Sequence, residues 1–461
     1  MPGFLGLNLS STALAAARRA MDVVGQNIAN VNNPAYNRQR VGLRSANPIT
    51  GEGTTQRLGA FHLGAGVVVD RIDRLHAAYL DGQLGSLNGQ QGEAGLDSQV
   101  ARQIEAIFVE PGDTGIQGRL ARFFAAFDAL AVNPGEPALR QNVATAGQLL
   151  SDGINDALQR LSVIRSDTVS QTQGLVTRTN TLTSQIAALS KRIQVAQGAG
   201  HQPNDLLDQR DALINEVTEL TGALVTGRDK GEVVISIDGR AIVQGQIQQQ
   251  VSFDSREPSF AIRLAGSGDA LALRSSTLRG IQKAANETVP GLQQQLLSLR
   301  DQLTAAVNTQ HRAGVDGLGK PGGDFFQVVN GRLLVNPAIQ QDTRLIAAGF
   351  TANSGDGDNA LKLADLRNAD LGAGSSADAL YNRLVSEVAN LTRDSSDRVD
   401  RVEALQQQTR ELQSAVSGVD LDQELTEMVT LQHIFSANAR MLTAFDEMLS
   451  TLIQGTGVVG R

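Results

Sequence analysis

The chain has 461 residues, with 40 Lys and Arg against 48 Asp and Glu and a formal net charge of -8. That length allows roughly two to four domains around a sizeable core, and that charge argues against a nucleic-acid-binding surface, which needs clustered cations. Cysteine and tryptophan are absent and aromatics make up only 3%, which excludes disulfides, thiolate metal sites and cysteine nucleophiles.

The opening segment, "MPGFLGLNLSSTALAAARRA", has no Lys or Arg ahead of its apolar part, and Asn8 and Ser10 interrupt that part. It does not read as a cleaved signal peptide. No run approaches the roughly 18 apolar residues of a spanning helix, so membrane insertion is not expected. Leu7, Leu14, Met21 and Ile28 recur every seven residues, with Ala17 and Val24 between them. This spacing predicts an amphipathic helix with one apolar stripe. The helix stops in "NIANVNNPAYNRQRV", Asn27 to Val41. Its asparagines tolerate turn and left-handed geometry, and Pro34 keeps Asn33 out of the helical region.

Long helices follow. Pro137 to Gln197 has no internal proline, and Leu175, Thr179, Leu182, Ile186, Leu189 and Ile193 keep four-three spacing. Asn204 to Thr221 predicts another helix, as do Leu278 to Arg312, where Pro290 could split it, and Ala377 to Val416. Between them, "EVVISIDGRAIVQG" flanks Asp238-Gly239 with β-rich runs, a hairpin signal, and "SFAIRLAG" alternates. A second hairpin, "QVVNGRLLVN", turns at Asn330-Gly331, and "TANSGDGDNA" reads as loop. After Gly418, Leu421, Met428, Phe435, Leu442 and Leu449 recur every seven residues, with Leu425 in a second seam. Asp420 and Gln423 suggest a capping box at that start.

The fold class is therefore mainly α with a small β insertion: an elongated helical bundle with paired N- and C-terminal coiled-coil-like helices. The expected division places an N-terminal helix at 1–36, pairing with 418–461. A helical middle domain occupies 37–222 and 276–417, with a hairpin near 325–337, and a β-rich insertion occupies 223–275.

No motif for catalysis, a cofactor or a metal survives inspection. "GVDGLGKP", Gly314 to Pro321, has phosphate-loop spacing, but Pro321 stands where the magnesium-binding hydroxyl belongs, and helix precedes it where a strand should. "SGDGDNA" offers Asp356, Asp358 and Asn359 without the glutamate that completes a calcium loop. His62, His76, His201, His311 and His433 are not spaced as ligands. Asp208 and Asp211 flank Arg210 on one helix and read as a local ion-pair network rather than an acid-base pair. An enzyme is not expected.

"NIANVNNPAYNRQRV" resembles the signature of the bacterial flagellar axial proteins, which include rod, hook and hook-associated proteins. Asn27, Ala29, Asn30, Asn32, Pro34 and Tyr36 follow that motif, and Arg38-Gln39 looks like its hook-associated members. Asn33 and Ala35 replace the family's threonine and glycine, and Ala35 disfavours a left-handed backbone at its position. "PNDLLDQRDALINEVTEL", "GGDFF" with "VNPAI", and the block from Ser417 to Ile453 look like further parts of the same family. The β insertion lies outside the resemblance.

The resemblance implies a structural adaptor between the flagellar hook and filament, exported by a type III route without a cleaved signal. Its implied partners are further copies of itself in a ring, the hook protein on one side, the third hook-associated protein on the other, and an export chaperone. Leu14, Ala17, Met21, Val24, Ile28, Leu421, Leu425, Met428, Phe435, Leu442 and Leu449 would form the assembly interface, with no cofactor. The alternatives are another axial protein, namely the hook protein or the third hook-associated protein, and more remotely a secreted coiled-coil effector or enzyme.

Overall fold

The computed structural model describes residues 2–46, 66–108, 115–228, 232–254, 260–371 and 374–456. Helix α1 (Pro2–Ala29) leads into an antiparallel pair, β1 (Gln39–Ser45) and β2 (Val67–Arg74), running from Gln39 opposite Arg74 to Ser45 opposite Val67 with a one-residue register shift between Gly42 and Leu43. Then come α2 (Ala78–Glu105), α3 (Ile116–Val132), α4 (Pro137–Gly198) and α5 (Asn204–Thr221). The β insertion contains β3 (Leu224–Thr226), β4 (Val234–Ile237), β5 (Arg240–Gln244), β6 (Ile247–Gln248), β7 (Val251–Asp254) and β8 (Ala261–Leu264). β3 to β6 form one meander, and β7 pairs with β8. α6 (Thr277–Lys283) runs through a π-helical turn, Ala284–Thr288, into α7 (Val289–Ala313). The hairpin β9 (Phe326–Val329) and β10 (Arg332–Val335), α8 (Pro337–Gln341), α9 (Asp358–Asp365), α10 (Ala377–Ser417) and α11 (Leu421–Thr456) complete the order.

The architecture is mainly α and elongated. At 1.5 Å per residue α4 alone extends about 90 Å. Its buried stripe includes Thr168, Thr179 and Thr183, whose hydroxyls donate to carbonyls of their own helix at 2.7, 2.9 and 3.0 Å. These three hydroxyls of a partly polar stripe are thus satisfied inside the packing, whereas that of buried Thr172 has no hydrogen-bond partner. Five of the 13 phenylalanines meet at one place. The Phe123 ring of α3 lies 5.3 Å from Phe124, 5.2 Å from Phe127, 5.6 Å from Phe325 and 5.3 Å from Phe326, and all five are fully buried.

α2 and α10 lie antiparallel along much of their length, tied by Asp81 to Gln413, Asn88 to Gln406, and Glu93 with Asp97 to Arg398. α1 and α11 are also antiparallel. Asn27 near the end of α1 meets Glu424 near the start of α11, while a Cβ on Gly6 would lie 2.5 Å from the Phe445 ring. Gly6 is a close-approach position between the two helices.

The structure departs from sequence expectation in three places. The segment beginning at 37 opens with the β1–β2 hairpin instead of helix. Pro290 does not split its helix: the π-helical turn just before it absorbs the proline's missing donor. That turn carries Asn286, whose amide clamps both backbone groups of Phe260 at 2.8 Å. The loop after Phe350 is shorter than expected, because α9 already begins at Asp358.

Candidate functional site at the helix joint

The stretch after α1 is built from successive turns. The Asn33 amide donates to the Asn30 carbonyl at 2.9 Å and the Tyr36 amide to the Asn33 carbonyl at 3.1 Å. The Ala35 amide donates to Asn33 Oδ1 at 3.1 Å. Neither these asparagines nor Ala35 has a positive φ, a conformation that among the described non-glycine residues belongs to Asp238 and Asn330 in the two hairpin turns. Of the turn and left-handed geometries that the asparagines tolerate, the stretch takes turns, and alanine at position 35 is not asked for a left-handed backbone.

Asn27 is the centre of the joint. Its Oδ1 accepts from the Tyr36 hydroxyl at 2.8 Å and from the Gln39 amide at 3.0 Å. Its Nδ2 donates to the Gln39 carbonyl at 2.9 Å and to Glu424 Oε2 at 3.0 Å. Arg38 Nε donates to Glu424 Oε1 at 2.6 Å, Arg38 Nη1 to Gln423 Oε1 at 3.2 Å, and the Arg38 amide to the Ser417 carbonyl at 2.9 Å. The Glu424 side chain is fully buried. Asp420 caps α11, accepting from the Gln423 amide at 3.1 Å. Gln423 turns to Arg38 rather than completing a capping box.

A second layer ties this knot to α5. Asn204 Nδ2 donates to Gln39 Oε1 at 3.1 Å and to the Ile72 carbonyl at 3.0 Å. Asn37 Nδ2 donates to Asp208 Oδ1 at 2.7 Å. Arg74 of β2 bridges Asp208 at 2.9 Å and Asp211 at 2.7 Å, with Arg74 and Asp208 almost completely buried. Burial pushes the Asp208 carboxyl up, against the hydrogen bonds from Asn37 and Arg74. Burial, together with Asp208, Asp205 and Glu424, holds the Tyr36 phenol above its ordinary range, so it stays a donor to Asn27. The ion pairing expected along α5 thus reaches across to β2. Arg210, fully buried, donates to Ser190 Oγ and to the Arg228 carbonyl.

The motif residues divide into two groups. Asn27, Tyr36, Arg38 and Gln39 hold the knot, and Asn30 donates back to the Gln26 carbonyl at 2.9 Å. Ala29, Asn32 and Pro34 face outward. Of the apolar residues, Ala17 and Val24 are buried, while Leu14, Met21, Ile28, Met428, Leu442 and Leu449 are half-buried. Leu421, Leu425 and Phe435 are exposed, so α1 does not cover them. The buried face of α1 is also wider than a heptad seam, taking in Ala16, Ala20 and Val23, because β1 and β2 pack on it beside α11. Sequence reasoning missed Glu424, Asn204 and Arg74. Glu424 sits in an acidic first turn, Asn204 at a helix start and Arg74 at a strand end, so none of them stands out locally.

The remaining candidates take ordinary structural roles. Asp316 Oδ1 accepts from the Leu318 and Lys320 amides at 2.8 Å each, so two amides of the glycine-rich loop point at that carboxylate. Asp356 accepts from the Phe350 and Thr351 amides and the Thr351 hydroxyl, closing a turn. His311 is buried, its Nε2 accepting from the Ala347 amide at 3.0 Å and its Nδ1 facing the Gly323 carbonyl at 2.6 Å. His62 lies outside the described residues. Among the described residues there is no His, Asp and Glu cluster that could hold a metal ion, and no helix long and apolar enough to cross a membrane.

Comparison with known proteins places this geometry. The family described as the flagellar hook-associated protein FlgK helical domain matches residues 101–326, and the flagellar basal body rod FlgEFG protein C-terminal family matches residues 413–455. Flagellar hook-associated protein 1 of Bacillus subtilis is 26% identical, with 99% of each chain covered. The protein of that name in Escherichia coli is 28% identical over 73% of this chain, which spans only 61% of that longer relative. The flagellar hook junction protein FlgK from Burkholderia pseudomallei shares the fold at a TM-score of 0.66 and 17% identity, over 73% of this chain and all of that one. With both terminal helices, the joint and the helical body accounted for, the chain belongs to the FlgK family of flagellar hook-associated proteins.

Proposed function

We propose that this chain is a structural, non-enzymatic component of the bacterial flagellum, the adaptor at the hook-filament junction on which the filament is built. The observation that carries the reading is the antiparallel α1–α11 pair, fixed to the body through Asn27, Arg38 and Glu424 and still presenting exposed apolar residues such as Leu425. An amphipathic helix with an uncovered face gains that burial only on assembly. The terminal pair therefore forms the inner layer of the axial structure, α2 to α10 the layer around it, and the β insertion the outer surface.

In this reading the hook protein lies below the chain, the third hook-associated protein above it, and further copies beside it. The chain reaches the outside unfolded through the flagellar export apparatus, held by an export chaperone beforehand. A strain lacking the chain tests the reading. The expected phenotype is complete hooks, no filaments and flagellin lost to the medium. Normal filaments, or truncated hooks, would refute it, and so would motility restored by a variant lacking residues 1–30.

A further inference from the structure

Between α2, the C-terminal end of α5 and β3 lies a cavity of about 570 Å³. Its α2 wall carries little side chain, being lined by Ala78, Gly82, Gly85 and Ser86. A Cβ on Gly82 would meet no atom within 4 Å, so the cavity reaches the helix backbone there. Leu224, Val225 and Thr226 of β3 supply another wall. The charged groups among the described lining residues are Arg228 and Arg274, with no Asp or Glu beside them.

The Arg228 side chain is only 10% exposed, yet its partners are poor. Nη1 lies 3.4 Å from Asn215 Oδ1 and 3.8 Å from Asp211 Oδ1. Asp211 is already held by Arg74 at 2.7 Å through its other oxygen, and the oxygen nearer Arg228 has no hydrogen-bond partner. Nε and Nη2 of Arg228 donate to no group among the described residues. Nη2 lies against the cavity wall, 3.8 Å from where a Cβ on Gly85 would stand. A guanidinium carries five N–H donors, and a buried charge is normally both paired and hydrogen-bonded. The described chain gives this one a single long hydrogen bond and one long ion pair. Arg274 is exposed, and its guanidinium has no partner among the described residues.

We infer that this cavity is a carboxylate-binding site, with Arg228 as its buried anchor and Arg274 as the cation at its mouth. A guanidinium fork matches the two oxygens of a carboxylate with paired N–H donors. The volume is that of a small-ligand pocket, and Ser86, Gln90 and Ser275 add neutral polar groups to the lining. A free dicarboxylate and an acidic side chain of another protein both present this group. The assignment stands independently of the junction reading.

Calorimetric titration of the purified full chain at fixed ionic strength tests the site. The probes are succinate, the end-capped tripeptide Gly-Glu-Gly, its Gly-Gln-Gly counterpart and inorganic phosphate. Saturable binding of succinate alone identifies a free dicarboxylate as the source, and binding of the Glu peptide identifies a side chain. Arg228→Gln is expected to weaken that binding by about tenfold or more, and Arg274→Gln by about threefold. Because the Arg274 guanidinium has no partner, its loss leaves the fold intact even if Arg228→Gln does not. Gly82→Leu fills the cavity from its open wall and keeps both arginines. It is expected to abolish binding without lowering the melting temperature, since leucine is the better helix former. No saturable binding of either carboxylate probe, binding unmoved by Gly82→Leu, equal binding of the Gln peptide, or tighter binding of phosphate than of succinate would overturn the assignment. Asp229 follows Arg228 in the sequence. Binding that appears only in Asp229→Asn would show that the chain fills the site with its own carboxylate, and would overturn it as well.

Discussion

Asn27 and Glu424 are 397 residues apart in the chain and share a buried hydrogen bond of 3.0 Å. The Asn27 amide has no spare group: both of its atoms are engaged, and three of the four bonds go to the segment that leaves α1. The fourth reaches α11. A single side chain thus fixes where α1 stops, where the next segment turns and where the far end of the sequence returns. Apolar contacts alone would let the helix pair slide, whereas these directional bonds set its position against the body.

Glu424→Ala removes the acceptor of Arg38 and of Asn27 together. Breaking a fully buried ion pair costs about 3–5 kcal/mol. Arg38 is 22% exposed, so a loss of about 2–3 kcal/mol is expected. Hydrogen exchange should show faster opening of α1 and α11, with the Phe123 core unchanged. Glu424→Gln should also lose stability, since its amide presents a donor to either Arg38 or Asn27 whichever way it is turned.

Asn27→Asp keeps the shape and reverses the chemistry. It sets a second carboxyl beside that of Glu424 and removes the donor that joined them. Two carboxylates at that distance cannot both ionise, so one pKa rises. A raised folded pKa means stability that is present at low pH and lost as pH rises through that value. The variant should be weaker than Asn27→Ala at pH 7 and regain ground on acidification, as followed by urea unfolding across pH.

Ala35→Gly restores the residue usual at this place in the flagellar axial signature. Because Ala35 has no positive φ, glycine gains nothing in the folded state and adds freedom to the unfolded chain. A loss of about 0.5–1 kcal/mol is expected. A gain in melting temperature would show that the loop needs a left-handed residue after all.

His311 gives the body a pH dependence. Burial pulls its pKa below the ordinary 6.5, and Nε2 is occupied as acceptor of the Ala347 amide. The depressed folded value means that its contribution is fully present above about 6.5 and is lost as pH falls from there through the folded pKa. Unfolding midpoints should decline over that window, and His311→Gln should flatten the decline.

Arg74→Leu leaves the buried Asp208 carboxyl, already raised by burial, with the Asn37 bonds alone, and Asp211 with the longer contact to Arg228 at 3.8 Å. A cost of about 3–5 kcal/mol is expected. Adding Asp208→Asn should recover part of it, because the amide replaces the uncompensated charge. A double-mutant cycle reads the coupling directly.

Local features were legible in the sequence. α5 is bounded by Pro203 and Gly222, and the turns at Asp238-Gly239 and Asn330-Gly331 need no distant partner. The β1–β2 hairpin was not legible, because its strands are joined through a long intervening segment and carry no two-residue turn signal between them. α2 was obscured by its glycines, which lower helix propensity. The structure explains two of them: a Cβ on Gly89 would lie 2.3 Å from the Ser275 carbonyl oxygen, and one on Gly92 would lie 2.4 Å from Thr277 Oγ1. They are absences of side chain where α6 and its approach pass close. At the joint, the motif showed Asn27, Arg38 and Gln39 but not their purpose. Glu424 reads locally as one more charged residue in an acidic first turn, and only the return of α11 makes it a partner.

The most direct test of the central claim is a reconstruction of the intact hook-filament junction by electron cryomicroscopy. The expected result is this chain between hook and filament, with α1 and α11 paired innermost and the Asn27–Glu424 joint at the boundary of the next layer. A junction built without the chain, or with its terminal helices on the outside of the structure, would contradict it.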